Sequence, residues 1–171
     1  HRGIFDQENI DEKITLDNLL IKILENVSLP VVAAGGIMAG RHIKRVINIG
    51  AKAAQLGTAF LTCPEAGTSL IHKHYLLNEQ KRKTKITKAF SGRMARGIKN
   101  KFIEEMNGKK IFPFPIQNTI TTPLRRVSQK NNNGEFINLW AGINFNQVRD
   151  LSAKDLMKKL AEEFKAENSI N

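Results

Sequence analysis

The chain has 171 residues, 41% hydrophobic and 25% charged, which suits one domain with a packed core and excludes a disordered or fibrous chain. No apolar run approaches the roughly 18 residues of a membrane span, and a single cysteine, Cys63, excludes an internal disulfide framework and suits a reducing, cytoplasmic setting. The net charge of +11 is uneven, because residues 73–110 carry 12 Lys/Arg against 3 Glu. Only Tyr75, Phe90 and Phe102 accompany that charge and no nucleic-acid motif does, so the segment reads as a solvated helical face plus an anion-attracting active-site rim, in preference to a nucleic-acid surface. The first residue is histidine, not methionine, so a fragment of a longer protein is expected.

Residues 15–27 are predicted to be a helix, with Leu16, Leu19, Leu20, Ile23, Leu24 and Val27 at helical spacing and Thr15 as cap. After Pro30, the run Val31–Ala34 reads as a buried parallel strand ended by Gly35 and Gly36. Residues 39–49 form the next helix, with Ile43, Val46 and Ile47 inward and Gly50 at its C-terminal cap. Residues 53–56 are a second strand, closed by Gly57 and Thr58, and Pro64 is expected to open a third helix. Helix alternating with strand implies an α/β fold with a parallel sheet. Further on, residues 84–90 suit a strand, 91–93 a turn and 98–106 a short helix. Residues 107–150 hold three of the five prolines and read as an irregular excursion. Ser152 and Asp155 resemble a capping box that starts a final helix over 152–165, with Leu156, Leu160 and Phe164 as its buried stripe.

The chemistry is expected at the C-terminal ends of the two parallel strands, where ligands bind in α/β proteins. Gly35 and Gly36 let the backbone approach a phosphate closely, and Thr58 adds a hydroxyl donor at the neighbouring strand end. A Gly-Gly pair alone makes only a tight turn; two such edges in one βαβ unit point to a phosphate cradle. The four histidines include no metal pair, because His72 and His74 lie two apart and face away from each other on a helix. Cys63 reads as a small buried residue, and His42 as a surface residue. Arg93 and Arg96 suit either an anionic substrate or a structural role.

The string PVVAAGGIMAGRHIKRVINIGAKAAQLGTAFLTCPEA (residues 30–66) resembles the last two barrel strands of the FMN-dependent family that holds nitronate monooxygenases, formerly 2-nitropropane dioxygenases, and one class of enoyl-carrier-protein reductases. The opening His1-Arg2-Gly3 resembles the tail of that family's Gly-Gly-His-x-Gly segment. FSGRMARGIKNKFI (90–103), FPFPIQN (112–118) and LWAG (139–142) resemble class I nitronate monooxygenases specifically. The resemblance implies the C-terminal part of an FMN-binding TIM (β/α)8 barrel: its last two strands and their helices within 1–83, a smaller, mostly helical substrate-side region over 84–150, and a C-terminal helix over 151–171. It implies FMN held by Gly35, Gly36, Gln55, Leu56, Gly57 and Thr58, and His1 as the catalytic base. Where the family often carries an acidic residue, this chain has Ala39, so a lost charge interaction at that helix start is expected.

By the same resemblance the partners are a small anionic nitronate, with propionate 3-nitronate expected, and O2. No membrane or nucleic-acid partner is expected. The rival readings are an NAD(P)H-dependent enoyl reductase of the same superfamily and a basic binding module without flavin. Two strands alone leave apolar edges, so the isolated chain is expected to hold FMN weakly and to aggregate.

Overall fold

The structure, a computed structural model, describes residues 14–166. Its regular elements are, in chain order, α1 (Leu16–Asn26), β1 (Val32–Ala34), α2 (Gly40–Ile49), β2 (Ala53–Gln55), a 3-10 turn (Thr58–Phe60), α3 (Leu70–Asn78), β3 (Thr84–Thr87), β4 (Ala95–Ile98), α4 (Lys101–Glu105), α5 (Ile116–Lys130) and α6 (Ala153–Ala166), with two further 3-10 turns at Gly134–Phe136 and Phe145–Gln147. Two compact units share them. One takes the described residues up to 67 and those from 147 onward; the other takes 68–146.

In the first unit, Thr15 caps α1 by accepting from the Asn18 N–H. β1 and β2 pair in parallel, with Val32 opposite Ala53 and Ala34 opposite Gln55. The crossover helix α2 ends at Gly50, whose φ of 125° is a conformation that other residues rarely adopt. Leu20, Ala33, Ile37, Val46 and Ala51 form the core between helices and strands, with Leu16, Leu24 and Ile43 packed against it. Burying a side chain such as Val46 completely stabilises by about 1.5–3 kcal/mol. Along β1 only Ala33 is buried, and its neighbours Val32 and Ala34 face outward on the other side of the sheet.

α6 closes this unit against α2. Ser152 Oγ accepts from the Asp155 N–H and donates to the Asp155 carboxylate, which bears out the expected capping pair at its start. Glu65 also accepts from the Ala153 N–H. Leu156 and Leu160 make the buried stripe.

The second unit is built on the antiparallel pair β3–β4, with Thr84 opposite Ile98 and Thr87 opposite Ala95. The 139–142 segment lies along the free side of β4: the Ile98 N–H donates to the Leu139 carbonyl at 2.8 Å and the Ala141 N–H to the Arg96 carbonyl at 3.2 Å. Phe90 packs against Phe102 and meets Trp140 edge-to-face, at ring distances of 4.9 and 5.6 Å. From α5, Gln117 Nε2 donates to the Ala89 carbonyl at 2.6 Å and Thr121 Oγ1 to the Phe90 carbonyl at 2.7 Å. The 90–103 and 139–142 strings are therefore hydrogen-bonded to each other, and α5, which starts within the 112–118 string, is hydrogen-bonded to the carbonyls of Ala89 and Phe90.

Three sequence expectations change. Pro64 does not open a helix: residues 61–67 form successive turns, and α3 begins at Leu70, where Ser69 supplies the capping oxygen that Pro64 lacks. Residues 98–106 are not one helix, because Ile98 completes the β4 ladder and only Lys101–Glu105 is helical, capped by Asn100. Within the supposed irregular excursion lies the 15-residue helix α5, with Pro123 inside it.

Candidate active site

The register of β1 and β2 sets the geometry of the first unit's functional edge. Beyond the last pair, Ala34 and Gln55, the chain continues as Gly35-Gly36 on one side and Leu56-Gly57-Thr58 on the other. Gly35 and Gly36 have φ of 135° and 65°, so this turn requires glycine. A Cβ added at Gly35 or at Gly57 would meet nothing within 4 Å. The edge thus presents glycine backbone to open space, from two adjacent strands. Thr58 begins the 3-10 turn that follows β2.

The start of α2, by contrast, is closed by protein groups. The Gly40 N–H donates to Glu163 Oε2 at 2.8 Å, and the Arg149 guanidinium holds that carboxylate at 2.9 Å. Burial raises the Glu163 pKa, but the Gly40 N–H and Arg149 outweigh it and hold the carboxyl below its ordinary value. The charge interaction expected to be lost with Ala39 is therefore present after all, supplied by a residue 123 positions later. His42 is not a free surface residue: its Nδ1 accepts from the Met38 N–H at 3.2 Å. Burial, then Arg41 and Arg45, lower its pKa, which favours the neutral ring that this bond needs.

The cradle residues Gly35, Gly36, Gln55, Leu56, Gly57 and Thr58 lie together on this one edge. His1 lies outside the described residues. The other candidates belong to the second unit. Arg93 stacks on the Phe114 ring at 4.5 Å, and Arg96 donates to Thr84 Oγ1 at 3.0 Å. His74 pairs with Asn78. His72 bonds to the Trp140 backbone, and burial drives its pKa down to about 4. Sequence reasoning missed the Glu163 clasp, since nothing local to Ala39 announces a partner so far along the chain.

A family model described as nitronate monooxygenase matches residues 1–163. The chain belongs to the nitronate monooxygenase family. A probable nitronate monooxygenase of Bacillus subtilis (strain 168) is 36% identical over 166 residues, covering 95% of this chain and 48% of the relative. One from Staphylococcus aureus (strain Newman) is 41% identical over 145 residues, 83% of this chain and 41% of the relative. This nitronate monooxygenase family chain therefore spans about half the length of the curated relatives it matches. Among solved structures, nitroalkane oxidase from Streptomyces ansochromogenes superposes with a TM-score of 0.87 at 40% identity, over 92% of this chain and 46% of that one. FabK from Thermotoga maritima superposes with a TM-score of 0.76 at 25% identity, over 92% and 51%. The fold class follows: part of a TIM β/α barrel, with β1 and β2 as barrel strands, in a chain of mixed helix and strand. No helix among the described residues is long and apolar enough to cross a membrane.

Proposed function

We propose that the intact protein oxidises alkyl nitronates with O2, propionate 3-nitronate among them, and holds FMN at the β1–β2 edge. The observation that carries the cofactor reading is the pair of open glycine edges, whose backbone a phosphate can approach without meeting a side chain. Gly35, Gly36, Leu56 and Gly57 would offer main-chain groups to that phosphate, Gln55 its amide and Thr58 its hydroxyl. FMN bound there supplies the redox chemistry between nitronate and O2, with the carbon leaving as an aldehyde and the nitrogen as nitrite or nitrate. The protein positions the substrate and stabilises its negative charge.

His1 is the proposed base that takes the α-proton of a neutral nitroalkane. An imidazole with a reference pKa of about 6.5 is largely unprotonated at neutral pH and can accept it. A substrate that arrives as the nitronate anion needs no such step. His1→Asn is therefore expected to lower kcat/KM for neutral nitroalkanes by about 10²–10⁴-fold and to spare nitronates.

The choice of nitronate oxidation is supported by the family match and by the hydrogen-bonded motifs between residues 90 and 142. It is tested by oxygen uptake of the intact enzyme with propionate 3-nitronate. Consumption above a free-FMN control is expected; its absence would sink the assignment. Rapid anaerobic reduction of the bound flavin by NADH or NADPH would favour the enoyl reductase instead.

A further inference from the structure

The local charge of residues 73–110 lies in the second unit, whereas the flavin edge lies in the first. Part of it converges on a pocket of about 280 Å³ where β3 begins, β4 ends and α4 starts. Four cations line it, Arg82, Lys83, Lys99 and Lys101, against two carboxylates, Glu104 and Glu135.

Both carboxylates are already engaged. Glu135 accepts from Arg82 Nη2 at 2.6 Å, from the Lys101 N–H at 2.8 Å and from the Tyr75 hydroxyl at 3.0 Å. Those bonds outweigh burial and hold its pKa below the ordinary value, so it stays ionised. Glu104 pairs with Lys99 at 2.6 Å. The pocket's amide is saturated too, since Asn100 donates to the Gly134 and Ile137 carbonyls and accepts from the Ile103 N–H. These bonds make a fixed floor beneath the lysine heads.

The lysines are crowded by the fold. The Lys99 N–H donates to the Lys83 carbonyl at 2.8 Å, extending the β3–β4 ladder one step past Thr84 and Ile98. Lys83 and Lys99 therefore stand opposite each other, and like charges in that relation repel. Lys83 has no acid within ion-pair distance among the described residues. The Lys99–Glu104 and Lys101–Glu105 pairs are solvent-exposed and hold their lysines weakly.

We infer that this pocket binds a small polyvalent oxyanion of the phosphate type, with Lys83, Lys99 and Lys101 as its donors. Lysine serves such ligands as a compact point charge. The volume is at the small end for ligand sites and suits a diphosphate group.

The test is calorimetric titration of the intact, FMN-saturated protein with inorganic pyrophosphate at low salt. Saturation with FMN fills the other phosphate edge, and dependence on Lys83 reads this pocket whether or not flavin binds. One-to-one binding is expected, weakened at least tenfold by Lys83→Gln with Lys99→Gln, retained by Lys83→Arg, and unchanged by Lys109→Gln with Lys110→Gln. Thermal unfolding of each variant reports whether the fold is kept. Absence of binding, or equal losses in both double variants, would overturn the proposal in favour of a diffuse field. Tighter binding of a single-stranded oligonucleotide that also falls with Lys109→Gln and Lys110→Gln would overturn it in favour of a nucleic-acid surface. A nucleoside diphosphate binding more tightly than pyrophosphate, with the same Lys83 dependence, would support it and assign the phosphate to a nucleotide.

Discussion

Gly57 offers a separation that few cofactor contacts allow. Its φ of −115° suits any residue and a side chain there meets nothing within 4 Å, so Gly57→Val leaves the fold intact while filling the space in front of the edge. FMN affinity, followed by flavin fluorescence, is expected to fall tenfold or more with no change in the melting temperature of the flavin-free protein. Gly40 behaves in the opposite way. A Cβ there runs into the Leu160 carbonyl and the backbone of Phe164 on α6, and overpacking against backbone costs about 1–3 kcal/mol. Gly40→Ala should lower the urea midpoint accordingly. His72 gives a pH signature. Burial holds it at about 4 against 6.5 when unfolded, so below pH 6.5 the unfolded chain takes a proton that the folded one refuses. Its contribution is complete above pH 6.5 and drains away as pH falls towards 4, a gap worth about 3 kcal/mol. Urea unfolding at pH 7 and 4.5 should show that loss in the wild type and a smaller one in His72→Gln. Local residues were legible from sequence where conformation is local, as at Gly35, Gly36, Thr15 and the Ser152–Asp155 pair. Glu163 was not, because its partner is chosen by tertiary packing.

At the scale of elements, α5 shows where periodicity misleads. Gln117, Thr121 and Ser128 are its buried residues, spaced as one helical face, and two of them bond to the carbonyls of Ala89 and Phe90. Ile116, Ile120, Leu124 and Val127 repeat at helical spacing on the exposed side. The helix is polar inward and apolar outward, the reverse of the usual arrangement, and what hid it in the sequence is Pro113, Pro115 and Pro123, which argue against a helix. The spacing itself was present in the sequence. Replacing the buried amide tests this inversion: Gln117→Leu leaves the Ala89 carbonyl and the Phe112 N–H without a partner. It should destabilise by about 1–3 kcal/mol per stranded group, whereas Ile120→Ser on the exposed face should cost far less. The first unit was easier to read, since each strand and helix there carries its own start and stop residues.

At the scale of the molecule, β1 and β2 are two strands of a barrel, and the sheet's outer face shows what that means. Val32 is 57% exposed although it sits in a strand, because the side chains that alternate away from the helices face the barrel side. The 171-residue chain taken alone is expected to bind FMN weakly and to associate through its unpaired edges. Size-exclusion chromatography with flavin absorbance checks this, and a soluble, yellow monomer would contradict it. The α/β class and the family were legible because short strands with glycine ends are written locally. The packing of α6 beside α2 was not, since it depends on contacts between distant stretches.

The bond between Gly40 and Glu163 also has a bearing on how the chain is made. A ribosome delivers α2 long before it delivers the carboxylate that completes that helix's first turn. Until some 123 further residues have followed, the α2 start must be served by water. The βαβ unit is thus expected to mature only once α6 has emerged, with its apolar strands exposed meanwhile, which is when a chaperone has the most to hold.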